Sequence, residues 1–407
     1  MQGENKMATN SNNHGGNGQR PAGSGRRPSG NGQRPAGQRP SGSRPAGSSY
    51  GQKRESAKQR AAKKRRKVII FGIEIVVILV MVAVLYLVMT HTNNEGPKFT
   101  VLETEELRIP EEVQQDETMK GYMNIALFGV DATKESQLYK GSRSDSVMIA
   151  SVNMDTGDIK LVSIYRDTYL NIGTDSYQKA NAAYSYGGAE QAVKMLNMNL
   201  DMDITNFVTV GYKGLSEVID GLGGIYIDVD SEEIKHINNY QIGIAEVLKC
   251  DYTPVTETGT QLLNGLQATA YCRIRYVGND FARTQRQRTV IEKVAKKAMT
   301  LNPATLNNIA NAVFPKIATS LDLSEIIELL GGITGYTIGE TASFPFDGSV
   351  QTGRVRKMSV VIPQDLEYNV KLLHQMFFDE QDYEPSSTVK TCSSKIASDT
   401  GVYYSGQ

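Results

Sequence analysis

Residues 273–288 read Arg-Ile-Arg-Tyr-Val-Gly-Asn-Asp-Phe-Ala-Arg-Thr-Gln-Arg-Gln-Arg. Segment 273–297 holds eight basic and two acidic residues, while the rest of 68–407 holds 20 basic and 40 acidic ones. A cationic cluster in acidic surroundings is a candidate anion pocket, and planar guanidinium forks suit phosphate oxygens. Tyr271–Arg275 reads as a strand, on which Arg273 and Arg275 share a face about 6.6 Å apart; two solvated arginines on a surface strand are the plainer alternative. The spacing then predicts a helix over Arg283–Met299 with an apolar stripe of Val290, Ile291, Val294 and Ala298. Arg283 and Gln287 fall inside that stripe, as does Asp280 if the helix extends back to it. Arg288, Glu292 and Lys296 fall on the opposite, wet side. A buried guanidinium without a partner is costly, so Arg283 should face an anion, either a protein carboxylate or a ligand.

A second set of charges depends on strand pairing. Asn124–Val130, Ser146–Asn153 and Ile159–Ile164 read as strands, the latter two joined by the turn Met154–Gly157. If all three pair antiparallel, one sheet edge collects Asp131, Arg143, Asp145, Arg166 and Asp167. Each alone has a bland reading as a loop charge. Together with the arginine cluster they make a constellation suited to phosphoryl transfer, with forks for phosphate and two Asp side chains for a hard cation such as Mg²⁺. P-loop, hydrolase-elbow and zincin motifs are absent. Three Cys (Cys250, Cys272, Cys392) and four scattered His give neither a disulfide framework nor zinc-ligand spacing. Gly221–Gly224 reads as a turn before a strand.

The elements that must position these residues alternate. Strands are predicted at Phe207–Val210, Ile225–Val229 and Ser359–Ile362. Helices are predicted at Ala189–Leu200, Leu262–Ala268, Pro303–Val313, Leu323–Leu330 and Asp365–Phe377. The class is α/β (α+β), with a central mostly antiparallel or mixed sheet flanked by helices.

The chain has 407 residues with 44 basic and 44 acidic side chains, but sixteen of the basic ones and only Glu4 and Glu55 of the acids lie in 1–67. That head repeats Gln-Arg-Pro and offers almost nothing to bury, so it reads as a disordered basic tail. Residues 68–90 are apolar apart from Glu74, long enough to cross a hydrocarbon core of about 30 Å. Lys63–Lys67 abuts the span, so the positive-inside rule puts the N-terminus in the cytoplasm and the rest outside, as a single-pass protein of the cell membrane. The domain plan is tail 1–67, transmembrane helix 68–90, extracellular stalk 91–119, catalytic domain 120–382 and C-terminal tail 383–407. Nucleic acid is not an expected partner.

Asn124–Asp131 (NIALFGVD), Arg143–Met148 (RSDSVM), Leu161–Thr168 (LVSIYRDT), Leu222–Val229 (LGGIYIDV) and Leu263–Arg288 resemble, in order, the LytR-CpsA-Psr family of cell-wall glycopolymer ligases. Tyr165 stands where that family usually has proline. The resemblance implies transfer of a phosphate-linked anionic glycopolymer, a teichoic acid or capsule polysaccharide, from a polyprenyl-pyrophosphate carrier to the C6 hydroxyl of N-acetylmuramic acid in peptidoglycan. It implies Mg²⁺ or Mn²⁺ on Asp131 and Asp145. Pyrophosphate would be held by Arg143, Arg166, Lys179, Arg273, Arg275, Arg283 and Gln287. Catalysis would rest on Asp145, Arg166, Arg275 and Asp280, the last orienting an arginine or acting as base. Two other readings stay open: a polyprenyl-pyrophosphate hydrolase using water, and a non-catalytic envelope regulator or scaffold that binds lipid-linked glycan.

Overall fold

Compact apolar runs belong in strands of a sheet covered on both faces. In the computed structural model such runs form the middle of β1 (Tyr122–Val130) and β2 (Ser144–Asn153), and the alternating segment after the turn becomes β3 (Asp158–Ile164). The structure describes residues 100–403 except Val101, Thr133, Met299 and 322–335. The basic tail, the apolar run 68–90, the start of the stalk and the helix expected at Leu323–Leu330 lie outside the described residues. Among the described residues no helix is long and apolar enough to cross a membrane.

β2 pairs antiparallel with β1 and with β3, as the hairpin at 154–157 requires. A ribbon of β4 (Tyr169–Asn171) and β5 (Tyr177–Lys179) leads into α1 (Ala180–Leu200). That helix breaks at Gly188, whose φ is +70° and where a Cβ would overlap the carbonyl of Tyr139. β6 (Asn206–Val210) then lies parallel to β1. Next come α2 (Tyr212–Gly221), β7 (Ile225–Val229), α3 (Ser231–Leu248), β8 (Gly259–Leu263), α4 (Gly265–Tyr271), α5 (Asp280–Ala298) and α6 (Pro303–Val313). β9 (Ile317–Thr319) and β10 (Thr337–Phe344) complete a six-stranded mixed sheet of order β10-β3-β2-β1-β6-β9. A ribbon of β11 (Val350–Val355) and β12 (Met358–Pro363) precedes α7 (Leu366–Phe378) and α8 (Ser387–Thr400).

Alternate residues of the sheet feed two cores. Ile125, Leu127, Met148 and Ala150 face α2 to α6 through Val218, Ile237, Leu266, Val290 and Ile309. Ala126, Phe128, Val147 and Ile149 face α1, α7 and α8 through Leu196, Leu373, Val389 and Ile396. The mixed sheet between helices matches the expected class.

Three expectations fail for physical reasons. Leu262–Ala268 is split, because Leu263 ends β8 and Asn264 caps α4 in a reciprocal box with Gln267. Tyr271–Arg275 is not a strand. The apolar run belongs to the end of α4, and Arg273 and Ile274 turn back onto the carbonyls of Ala270 and Tyr271. The segment read as a tail, 383–407, instead carries α8. Ser386 caps this helix, and Asp201 accepts hydrogen bonds from the Ser386 backbone N–H (2.7 Å) and hydroxyl (2.6 Å).

Candidate functional site

Parallel β1 and β6 end side by side, Gly129 opposite Val210, at the edge where β2 begins. A crevice outside the carboxyl ends of such strands is a common ligand position. Here it opens into a cavity of ≈ 250 Å³. Its interior is apolar: Leu127, Met148 and Val208 from the sheet, Val218 from α2, and Val290 and Val294 from α5. Its rim carries Asp131, Asp145, Arg273, Arg275, Arg283 and Gln287.

Asp145, second residue of β2, is the hub. Its Oδ1 accepts from Arg166 Nη1 and its Oδ2 from Arg275 Nη2, both at 2.8 Å. Arg166, just past β3, also reaches Asp280 Oδ2 through Nε at 3.3 Å and lies 3.8 Å from Asp167. Asp167 pairs with Lys179 at 3.0 Å. Asp280, first residue of α5, therefore stands between Arg166 and Arg283. Gln287, two turns along α5, donates to the carbonyls of Asp145 (3.3 Å) and Cys272 (3.4 Å), tying helix to sheet.

Arg283 is 1% exposed. Its Nη2 lies 2.7 Å from Asp280 Oδ1 but is not aligned for a hydrogen bond, and among the described residues none of its three nitrogens has a hydrogen-bond partner. The expected inward-facing guanidinium is there. Its carboxylate partner satisfies it only in part, leaving donors directed to the cavity that it lines. Arg288, expected on the wet side, is instead buried: strand β10 packs over it, and Arg288 donates to the carbonyl of Ala342 and the hydroxyl of Ser343. Neighbouring Arg286 is also buried and pairs with Glu233 at 2.7 Å.

The electrostatics follow from this packing. Burial acts to raise the Asp145 carboxyl, but the charges of Arg166, Arg283 and Arg275 outweigh it and hold the group below the usual carboxylate range. Burial lowers Arg283, aided by neighbouring Arg166 and Arg275 and opposed by Asp280 and Asp145. Burial also lowers Arg166, but Asp280, Asp145 and Asp167 reverse this and raise it.

The structure thus brings Asp145, Arg166, Arg275, Asp280, Arg283 and Gln287 together, with Lys179 joined through Asp167. Asp131 and Arg273 stand on the same cavity wall. Arg143 does not join them; it is exposed, and among the described residues it makes no ion pair. The sequence reading missed Tyr212 and Tyr240. Their rings hold the Arg273 guanidinium at 4.7 and 5.5 Å. A signal existed for α3, the capping box of Asp230 with Glu233, but nothing local aimed Tyr240 at Arg273.

Among the described residues no group of three or more His, Cys, Asp or Glu forms a metal cage. A hard cation bridging to phosphate needs only one or two carboxylates. Asp131 is exposed and, among the described residues, has no arginine paired with it, and each Asp145 oxygen keeps lone-pair capacity beyond its one arginine. The donor set fits Mg²⁺ or Mn²⁺ in that mode.

Comparison with known proteins gives consistent results. The LytR_cpsA_psr family model matches residues 86–363. Biofilm regulatory protein A of Streptococcus mutans is 32% identical over 223 residues, 51% of this chain and 52% of that protein. The polyisoprenyl-teichoic acid–peptidoglycan teichoic acid transferase TagU of Enterococcus faecalis is 30% identical over 207 residues, 50% of this chain and 63% of its own. The chain spans between about half and two thirds of the length of these curated relatives. The solved structure of gbs0355 from Streptococcus agalactiae shares the fold, with a TM-score of 0.56 and 26% identity, covering 69% of this chain and 95% of that one.

Proposed function

This chain belongs to the LytR-CpsA-Psr family, and from that premise we propose that it transfers a phosphate-linked anionic glycopolymer from a polyprenyl-pyrophosphate carrier to peptidoglycan. The observation that carries the reading is one cavity with an apolar interior and a guanidinium rim. An isoprenoid chain suits the first and a diphosphate the second. Relatives named as polyisoprenyl-teichoic acid–peptidoglycan transferases support the same chemistry.

In this reading the C6 hydroxyl of a muramic acid residue attacks the sugar-proximal phosphorus. A new O–P bond forms, the bond from that phosphorus to the bridging oxygen breaks, and the electron pair leaves on the lipid monophosphate, which takes up the proton given up by the C6 hydroxyl. Arg275 and Arg283 bind the phosphates, and Asp145 and Asp280 hold the arginines in place before substrate arrives. Such fixed charges stabilise a transition state without reorganising. Arg166, Arg273, Arg275, Arg283 and Lys179 against Asp131, Asp145, Asp167 and Asp280 leave one positive charge in excess. A diphosphate diester carries two negative charges. Asp131 and Asp145 would hold Mg²⁺ or Mn²⁺, which would neutralise the remainder. The apolar run 68–90 would tether the domain to the outer face of the cell membrane, within reach of a bilayer-embedded carrier.

The test is transfer by the full-length protein in detergent micelles, given lipid-linked polymer with and without soluble peptidoglycan fragments. A covalent polymer–glycan product, lost in Arg275→Ala, is expected. Release of lipid monophosphate with no glycan product would assign a hydrolase instead, and a wild-type rate in Arg275→Ala would remove the site.

A further inference from the structure

Tyr276, next to Arg275, is 79% exposed. A lone exposed aromatic needs no explanation, but this one is neither lone nor loose. Its ring stacks, offset, on His236, with centroids 5.5 Å apart and planes 25° apart, and most of its surface stays open. His236 lies one turn before Tyr240 on α3, on the same helix face. Tyr240 in turn lines the cavity and packs on Arg273. Aromatic surface therefore runs from the cavity wall to the open rim.

A single buried guanidinium pins both halves of this pair. Arg286 Nε donates to Glu233, on the turn of α3 that precedes His236, at 2.7 Å. Its Nη2 donates to the carbonyl of Val277, the residue after Tyr276, at 3.0 Å. The backbone just after Tyr276 and the turn of α3 before His236 are thus tied to one another before any ligand arrives, which lowers the entropy lost on binding.

We propose that Tyr276, backed by His236, is a platform for a pyranose ring of the peptidoglycan acceptor; this deepens, and rests on, the transferase reading above. The C–H groups on one face of a pyranose carry slight positive charge and meet the electron-rich face of an aromatic ring. The donor's isoprenoid occupies the cavity interior and its diphosphate the rim. The attacking sugar must therefore approach from outside, where Tyr276 stands beside the arginine that holds the phosphate.

The experiment measures transfer by the full-length protein in micelles, varying donor and soluble glycan acceptor separately, for wild type, Tyr276→Ala and Tyr276→Phe. Tyr276→Ala should raise the acceptor KM about five- to tenfold with the donor KM within about twofold, and Tyr276→Phe, which keeps the ring, should restore the acceptor KM. A rise in donor KM alone would assign the ring to the donor's sugar and overturn the proposal, as would an unchanged acceptor KM in Tyr276→Ala. If the wild type forms no product, the transferase reading fails by itself. The platform is then judged by NMR titration with the glycan fragment alone: weaker binding in Tyr276→Ala sustains it, and binding equal to wild type, or none to either, refutes it.

Discussion

Replacing Arg283 by methionine should leave the ligand-free domain at least as stable as before while stripping the cavity of its grip on a diphosphate. Arg283 is 1% exposed, makes one unaligned ion pair with Asp280, and satisfies none of its donors with a hydrogen bond. Desolvating a guanidinium costs several kcal/mol, and exchanging a buried ion for a packed apolar side chain is often neutral or stabilising by about 1–4 kcal/mol. Asp280 is not orphaned by the change, because Arg166 Nε remains 3.3 Å away. Methionine would be next to Val290 and Val294 in the cavity wall. We expect a gain of about 0–2 kcal/mol in the ligand-free state. Charge-assisted hydrogen bonds to phosphate are worth about 1.5–3 kcal/mol, so affinity should drop by roughly 10- to 150-fold. Thermal unfolding with and without a short-chain polyprenyl pyrophosphate reads both numbers. At a ligand concentration about 100 times the wild-type Kd, the ligand stabilises wild type by about 2.7 kcal/mol and the variant by only about 0.3–1.4 kcal/mol. A variant that loses more than about 2 kcal/mol without ligand would make Arg283 a structural ion-pair residue of the kind whose removal strands a charge. A variant with the full ligand shift would show that Arg283 does not hold phosphate.

Asp145 titrates below the usual carboxylate range in the fold because its arginines overcome its burial. Its contribution to stability is present above the ordinary carboxylate pKa and is lost as pH falls through the lower folded value. Asp145→Asn should flatten that part of the acid-unfolding profile, and identical profiles would contradict the assignment. Burial pushes the Cys272 thiol up to about 12, whereas Cys250 is exposed. Near neutral pH iodoacetamide should modify Cys250 well before Cys272, and equal rates by mass spectrometry would refute this packing. Ile396 of α8 is 2% exposed, so Ile396→Ala should cost about 2–5 kcal/mol in denaturant unfolding; a change under about 0.5 kcal/mol would mean that α8 does not belong to the core.

The frame of the sheet was legible because β1 and the middle of β2 are compact apolar runs, β3 alternates, and a strong turn joins the last two. That pairing delivered Asp131, Asp145, Arg166 and Asp167 to one edge, and the helical stripe of α5 turned Arg283 and Gln287 toward them. Arg273 and Arg275 reached the site without the strand expected for them, because a turn after α4 places them there instead. The burial of Arg288 was not legible. Its partner, the carbonyl of Ala342, is 54 residues away on an edge strand that no periodicity announced. Tyr212, Tyr240 and the apolar interior were missed for the same reason: each is an ordinary amphipathic position locally, and only the tertiary packing of α2 and α3 against the sheet edge gives it a ligand-facing role. The helix at 387–400 was missed because its apolar residues are sparse, Val389, Cys392 and Ile396, and its anchorage comes from Asp201, 185 residues before Ser386.

The most direct measurement is a crystal structure of the protein with a short-chain polyprenyl pyrophosphate. Phosphate oxygens are expected within about 3 Å of both Arg275 and Arg283, with the isoprenoid lying along Leu127, Met148 and Val290. A diphosphate bound elsewhere, with Arg283 still paired only to Asp280 and the apolar cavity unfilled, would contradict it.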